Sequence, residues 1–242
     1  MKKLSIILLF VFALSSCQKE EVDLFITIQL ENNDGPMTVG QAFTDSKGLN
    51  QKCLPFFNFY ISDLELIDKK GETHHVLDYD LVRITNGNGA CTFKVKVMPG
   101  VYKEVRFALG FNTVQQATDP TTLPTTDPLS DANDMYWAMS STYIFTKYEG
   151  ELDSDGDGSF DKALIYHIAD PSYYRTVSLA NGDIDVKASK TADNKLVLSL
   201  DHEKLFHPGG SADIDLINES YSQSIDSIAE RFADNMSTAF SY

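Results

Sequence analysis

Apolar and polar residues alternate in short runs along most of the chain: 24–30, 57–67, 82–85, 91–97, 102–109, 143–148, 163–168, 176–179, 184–188 and 196–200. A period of two sends successive side chains to opposite faces, so each run predicts a strand. Asn33-Asp34-Gly35-Pro36, Lys69-Lys70-Gly71, Asn86-Gly87-Asn88-Gly89, Pro99-Gly100 and Asn181-Gly182-Asp183 lie between the runs and suit tight turns. About ten strands with turn-sized gaps predict an all-β fold, an antiparallel β-sandwich of immunoglobulin-like type. Helical spacing is found mainly after residue 211, where Ile214, Ile217, Tyr221, Ile225, Ile228 and Phe232 recur every three or four residues. That stripe predicts a short C-terminal amphipathic helix packed on the sandwich. Residues 115–131 contain Pro120, Pro124 and Pro128, which exclude a central strand and most helix and predict a long loop leading to Trp137, the only tryptophan.

The first residues follow a different pattern. Lys2 and Lys3 precede an apolar run over 6–14, followed by Leu14-Ser15-Ser16-Cys17. This is the pattern of a secretory signal, too short to stay in a bilayer as a permanent helix. The last four residues resemble the bacterial lipobox, which implies cleavage after residue 16 and acylation of Cys17. Residues 17–22, with Gln18-Lys19-Glu20-Glu21, then form a lipidated tether resembling the acidic export tether of some Bacteroidetes lipoproteins, and 23–242 form one domain. The expected location is the cell envelope, as an outer-membrane lipoprotein facing the periplasm or the surface. The chain carries 20 basic and 35 acidic residues. Loss of Lys2 and Lys3 leaves 18 against 35, a balance of −17 that repels nucleic acid and favours cations. Of the remaining cysteines, Cys53 and Cys91 are expected to pair as a disulfide in an oxidising envelope, the alternative being a soft-metal thiolate site.

The sharpest local motif is Asp153-Ser154-Asp155-Gly156-Asp157-Gly158-Ser159-Phe160-Asp161. Carboxylates at its first, third, fifth and ninth positions, with glycine at the sixth for a sharp turn, suit calcium. Asp153, Asp155, Asp157, Ser159 and Asp161 are the candidate ligands. Leu164 stands where a full EF-hand places its bidentate glutamate, and the flanks read as strands, so the prediction is a free-standing calcium loop that closes a hairpin. An acidic solvated turn is the alternative.

A second constellation is Asp134-Met135-Tyr136-Trp137-Ala138-Met139-Ser140-Ser141-Thr142-Tyr143-Ile144-Phe145. Together with Phe59-Tyr60-Ile61-Ser62-Asp63-Leu64, Pro99-Gly100-Val101-Tyr102-Lys103-Glu104-Val105-Arg106-Phe107 and Leu198-Ser199-Leu200-Asp201, it resembles the MbnP family of copper-associated envelope proteins, over roughly residues 23–210. The resemblance implies a β-sandwich and a tryptophan, here Trp137, that is oxidised to kynurenine and joins histidines in holding copper. It also implies a di-haem cytochrome c peroxidase-like partner as the oxidant. Where relatives carry histidine or a second tryptophan, this chain has Met139, a thioether suited to Cu(I). His207 in Phe206-His207-Pro208-Gly209-Gly210, His202, and His167 in Leu164-Ile165-Tyr166-His167-Ile168 are the other candidate copper ligands. His74 and His75 are adjacent on a predicted strand and face opposite ways, so they do not chelate one ion together.

No nucleophile elbow, phosphate-binding glycine loop, zinc-protease helix or haem-attachment motif is present, so no turnover is expected of the chain itself. The reading is an exported lipoprotein that handles copper around Trp137 and carries a structural calcium loop. The alternatives are a calcium-stabilised structural or adhesive envelope module, or a carbohydrate-binding module using Tyr173 and Tyr174.

Overall fold

The computed structural model describes residues 20–242 apart from 34, 86, 181, 190 and 192. The expected signal segment and Cys17, the expected lipidation site, lie outside the described residues. The strands, in chain order, are β1 (Val22–Asn32), β2 (Gly35–Pro36), β3 (Ala42–Thr44), β4 (Asn50–Cys53), β5 (Phe57–Asp68), β6 (Thr73–Ile84), β7 (Ala90–Val97), β8 (Gly100–Leu109), β9 (Tyr136–Trp137), β10 (Thr142–Tyr143), β11 (Thr146–Asp153), β12 (Lys162–Ile168), β13 (Arg175–Leu179), β14 (Ile184–Val186), β15 (Lys195–Asp201), β16 (Tyr221–Ser222) and β17 (Phe240–Ser241). Three α-helices join them: α1 (Thr113–Gln116), α2 (His202–Phe206) and α3 (Ser227–Thr238).

Two sheets face each other in a β-sandwich. The smaller runs β17-β15-β1-β2, with β7 also on β1; the larger runs β13-β8-β5-β11-β12-β16, with β6, β14, β4 and β3 attached. Pairing is antiparallel except at β1–β15 and β12–β16, which run parallel. Inward side chains of β1, Leu24, Ile26, Ile28 and Leu30, meet Phe57, Phe59 and Ile61 of β5 and Tyr148 of β11 in the main core.

Along β5 the inward residues change parity, from Phe57, Phe59 and Ile61 to Leu64 and Leu66. The cause is a bulge around Asp63, where φ is +50° and the register to β8 shifts between Ser62 and Glu65; against β6 the shift falls between Leu64 and Glu65. One extra residue moves every later side chain to the other face, so the apolar set stays in the core. Before the bulge the outer face of β5 is also covered: Tyr60 lies in a second core with Leu81, Phe111, Leu129, Met135, Tyr143, Ile144, Phe145 and Ala169. This core is capped by the 111–145 segment, which holds the predicted proline loop, and it positions Trp137.

The C-terminal helix is shorter than its apolar stripe. α3 begins after Asp226, whose carboxylate caps the amides of Ile228 and Ala229, and it buries Ala229, Phe232, Ala233 and Met236. Ile214 is buried ahead of it, Tyr221 lies in β16, and Ile225 is exposed, so the first part of the stripe is not helical. The disulfide expected between Cys53 and Cys91 is absent; both thiols are free. The two residues lie in strands of different sheets, Cys53 buried on β4 and Cys91 on β7. Burial pushes the Cys53 thiol up to about 12, so it is a protonated core side chain.

Candidate metal centre

Trp137 is held by a short hairpin. β9 and β10 pair Trp137 with Thr142 and Tyr136 with Tyr143, and the Ser140 amide closes the turn on the Trp137 carbonyl at 3.2 Å. Beneath it Met135, Tyr143, Ile144 and Phe145 are buried, and the Tyr143 hydroxyl donates to the carbonyls of Thr118 and Leu129, each at 3.1 Å. The aromatic block is therefore core on one side and surface on the other. Trp137 lies at the boundary, half-buried against the second core.

The indole meets one of the predicted histidines. The rings of Trp137 and His167 lie 6.5 Å apart, centroid to centroid, and are tilted by 47°. His167 pairs with Lys147 across β11–β12, on the face opposite the buried Tyr148–Tyr166 pair. Its Nδ1 accepts from Gln223 Nε2 at 2.6 Å, and its Nε2 faces Glu149 Oε1 at 3.1 Å. Burial lowers the His167 pKa, an effect that the Glu149 carboxylate opposes. The ring is thus neutral at physiological pH, fixed in one orientation by an amide and a carboxylate, as metal-binding imidazoles commonly are. Glu149 and Gln223 had no sequence signal of their own; only the strand register and the fold of the 220s segment bring them to His167.

The other three predicted copper ligands are elsewhere. Met139, at the tip of the β9–β10 turn, is fully exposed, at 104%. His202 opens α2 on the inner side of the larger sheet, where it is buried and its Nε2 contacts the Tyr148 hydroxyl at 2.8 Å. Burial, with His207 as a second cause, holds its pKa down to about 3. His207 ends α2 and places Nε2 3.1 Å from Asp45 Oδ2. Tyr148 points inward from β11 while Lys147 and Glu149 point outward, so β11–β12 separates His202 from the Trp137–His167 contact. The set read from the sequence divides, and only His167 reaches the tryptophan.

The calcium motif closes the β11–β12 hairpin, as its flanks predicted. Asp153 is buried and spends its oxygens on the amides of Gly156 and Gly158, at 2.8 and 3.0 Å. Gly158 has φ +92°, a backbone that favours glycine, at the sixth position of the motif. One oxygen each from Asp153, Asp155 and Asp157 lies within 4.8 Å of the others. Oxygens on opposite sides of a calcium ion lie roughly 4.6–5.2 Å apart, twice the usual bond length, so the three fit a shared ion. Asp161 is turned away: it accepts from the Ser154 amide and hydroxyl at 2.8 and 2.7 Å, and Ser159 lends its amide to Asp157. Three of the five predicted ligands therefore converge. Tyr173 and Tyr174 do not offer an exposed sugar platform: Tyr173 is buried, with its hydroxyl near the Asp226 backbone, and the Tyr174 hydroxyl donates to Asp63 at 3.1 Å.

Fold and site together define a β-sandwich protein that presents a half-buried tryptophan against a fixed, neutral imidazole on the outer face of one sheet. The model of the MbnP family matches residues 21–227, and the chain belongs to that family. Its fold is similar to that of MbnP from Methylosinus trichosporium, with a TM-score of 0.53 and 17% identity over 77% of this chain and 78% of that one. No curated protein matches the chain.

Proposed function

We propose that this chain is an exported, lipid-anchored member of the MbnP family that handles copper at Trp137 and His167, with the Asp153–Asp157 loop holding calcium as a structural brace. The observation that carries this reading is the single juxtaposition of an oxidisable indole with a neutral, oriented imidazole in the family's tryptophan block. The donor set fits copper in part. His167 supplies nitrogen, Glu149 stands beside it, and Trp137 becomes a donor on conversion to kynurenine by an oxidising partner of the di-haem peroxidase class. Gln223 must release Nδ1 for that atom to bind an ion. The half-exposure of Trp137 leaves it open to an oxidant from outside. Bound copper would supply one-electron chemistry; the residues' own work is to orient the imidazole and keep it neutral. The acidic balance and the Leu14-Ser15-Ser16-Cys17 quartet support an envelope location, on the outer membrane.

The exposed Met139 and the inward His202 favour a second reading, in which calcium orders the hairpin and the aromatic block is only packing. Protein purified from its native host separates the two. The copper reading expects retained copper and a mass shift on the peptide containing Trp137, both lost in Trp137→Phe. An unmodified tryptophan with no copper would overturn it.

A further inference from the structure

A second cluster of metal-binding side chains stands at the β5–β6 hairpin, away from both sites above. Asp68 Oδ1 accepts from the amides of Lys70 and Glu72, at 2.8 and 3.0 Å, which ties one carboxylate oxygen to the turn. The other, Oδ2, faces His74 Nε2 at 3.6 Å. That gap is too long for a hydrogen bond, and Nε2 is covered from solvent with no hydrogen-bond partner although the His74 side chain is 34% exposed. A covered, unpaired ring nitrogen is unfavourable unless something else occupies it. The ring is oriented by Tyr102, edge-on at 5.4 Å between centroids. Glu72 completes the group, so that one ligand atom from each of Asp68, Glu72 and His74 lies within 4.8 Å of the others.

Distance favours an ion over a direct contact. Ligands held at about 2.0–2.2 Å around a tetrahedral ion lie roughly 3.3–3.6 Å apart, which the 3.6 Å gap matches. One nitrogen and two carboxylate oxygens suit a borderline divalent ion; the set is too hard for Cu(I), and calcium prefers oxygen alone. We propose that Asp68, Glu72 and His74 form a surface site for a divalent transition-metal ion of the zinc type, with a coordination position left for water or an outside ligand. Beside it Asp68, His74, Pro99 and Tyr102 help line a cleft of about 380 Å³, room for such a ligand. His75, the next residue, points to the opposite face and contacts Asp78 at 2.9 Å, so it serves as an internal control.

The test is a zinc titration of the mature chain with calcium at saturation, in a His167→Ala background so that the outcome is independent of any copper site. One zinc ion is expected to bind, with affinity lowered at least tenfold by His74→Ala and by Asp68→Asn and unchanged by His75→Ala. No zinc site, an affinity unmoved by His74→Ala, or an equal loss in His75→Ala would overturn the proposal.

Discussion

Gly110 shows how tightly the tryptophan block is seated. Its φ is +82°, and a Cβ there would come within 2.2 Å of the Phe145 ring, directly beneath the β9–β10 hairpin. The left-handed backbone alone costs an alanine about 1–2 kcal/mol, and displacing a buried ring adds about as much again. Gly110→Ala is therefore expected to lower the melting temperature by roughly 5–10 °C for a domain of this size. A melting temperature within a degree of wild type would mean that Phe145 yields freely. His202 makes a second prediction at this scale. Its pKa is about 3 when folded, against an ordinary value of about 6.5, so the unfolded chain takes up the proton first. Its contribution to stability is full above about pH 6.5 and declines as pH falls toward 3, at up to about 1.4 kcal/mol per unit. Asp45 and His207 face it, so the comparison must be differential. Urea unfolding at pH 7, 6 and 5 should give a shallower pH dependence in His202→Gln than in wild type; parallel slopes would show that His202 is not charged on unfolding.

At the scale of elements, the β11–β12 hairpin should respond to calcium. An ion at about a hundred times its dissociation constant adds about 2.7 kcal/mol, or roughly 5–10 °C in melting temperature. Wild-type protein should show such a rise on calcium addition and Asp155→Asn with Asp157→Asn should not; equal shifts in both would mean that the three carboxylates hold no specific ion. The sequence was most legible where strands bury one face, as in β1, β7, β8, β12 and β15. It was less so in the first half of β6, where Thr73-His74-His75-Val76 has too few apolar residues to alternate and only the Lys69-Lys70-Gly71 turn before it indicated a strand. At the bulge the sequence offered only Ser62-Asp63, which also fits an uninterrupted strand, so the change of parity was not announced. The stripe from Ile214 misled because three- and four-residue spacing also fits an irregular segment touching the core at intervals, and of several Asp, Asn and Ser residues along it Asp226 is the one that caps the helix.

For the molecule as a whole, the sandwich and the family were readable from strand count and from the blocks around Tyr60, Tyr102, Trp137 and Leu198. The site was readable only in part. Spacing along the chain cannot tell which face of β11–β12 a distant histidine meets, so His202 and His207 shared the candidacy with His167 until the register divided them. The unpaired thiols follow from the same limit, since Cys53 and Cys91 belong to different sheets. The most direct test of the copper account is copper content per chain in natively produced His167→Ala, beside Met139→Ala and His207→Ala. The account expects His167→Ala to lose most of its copper while the other two keep the wild-type amount; equal copper in all three would contradict it.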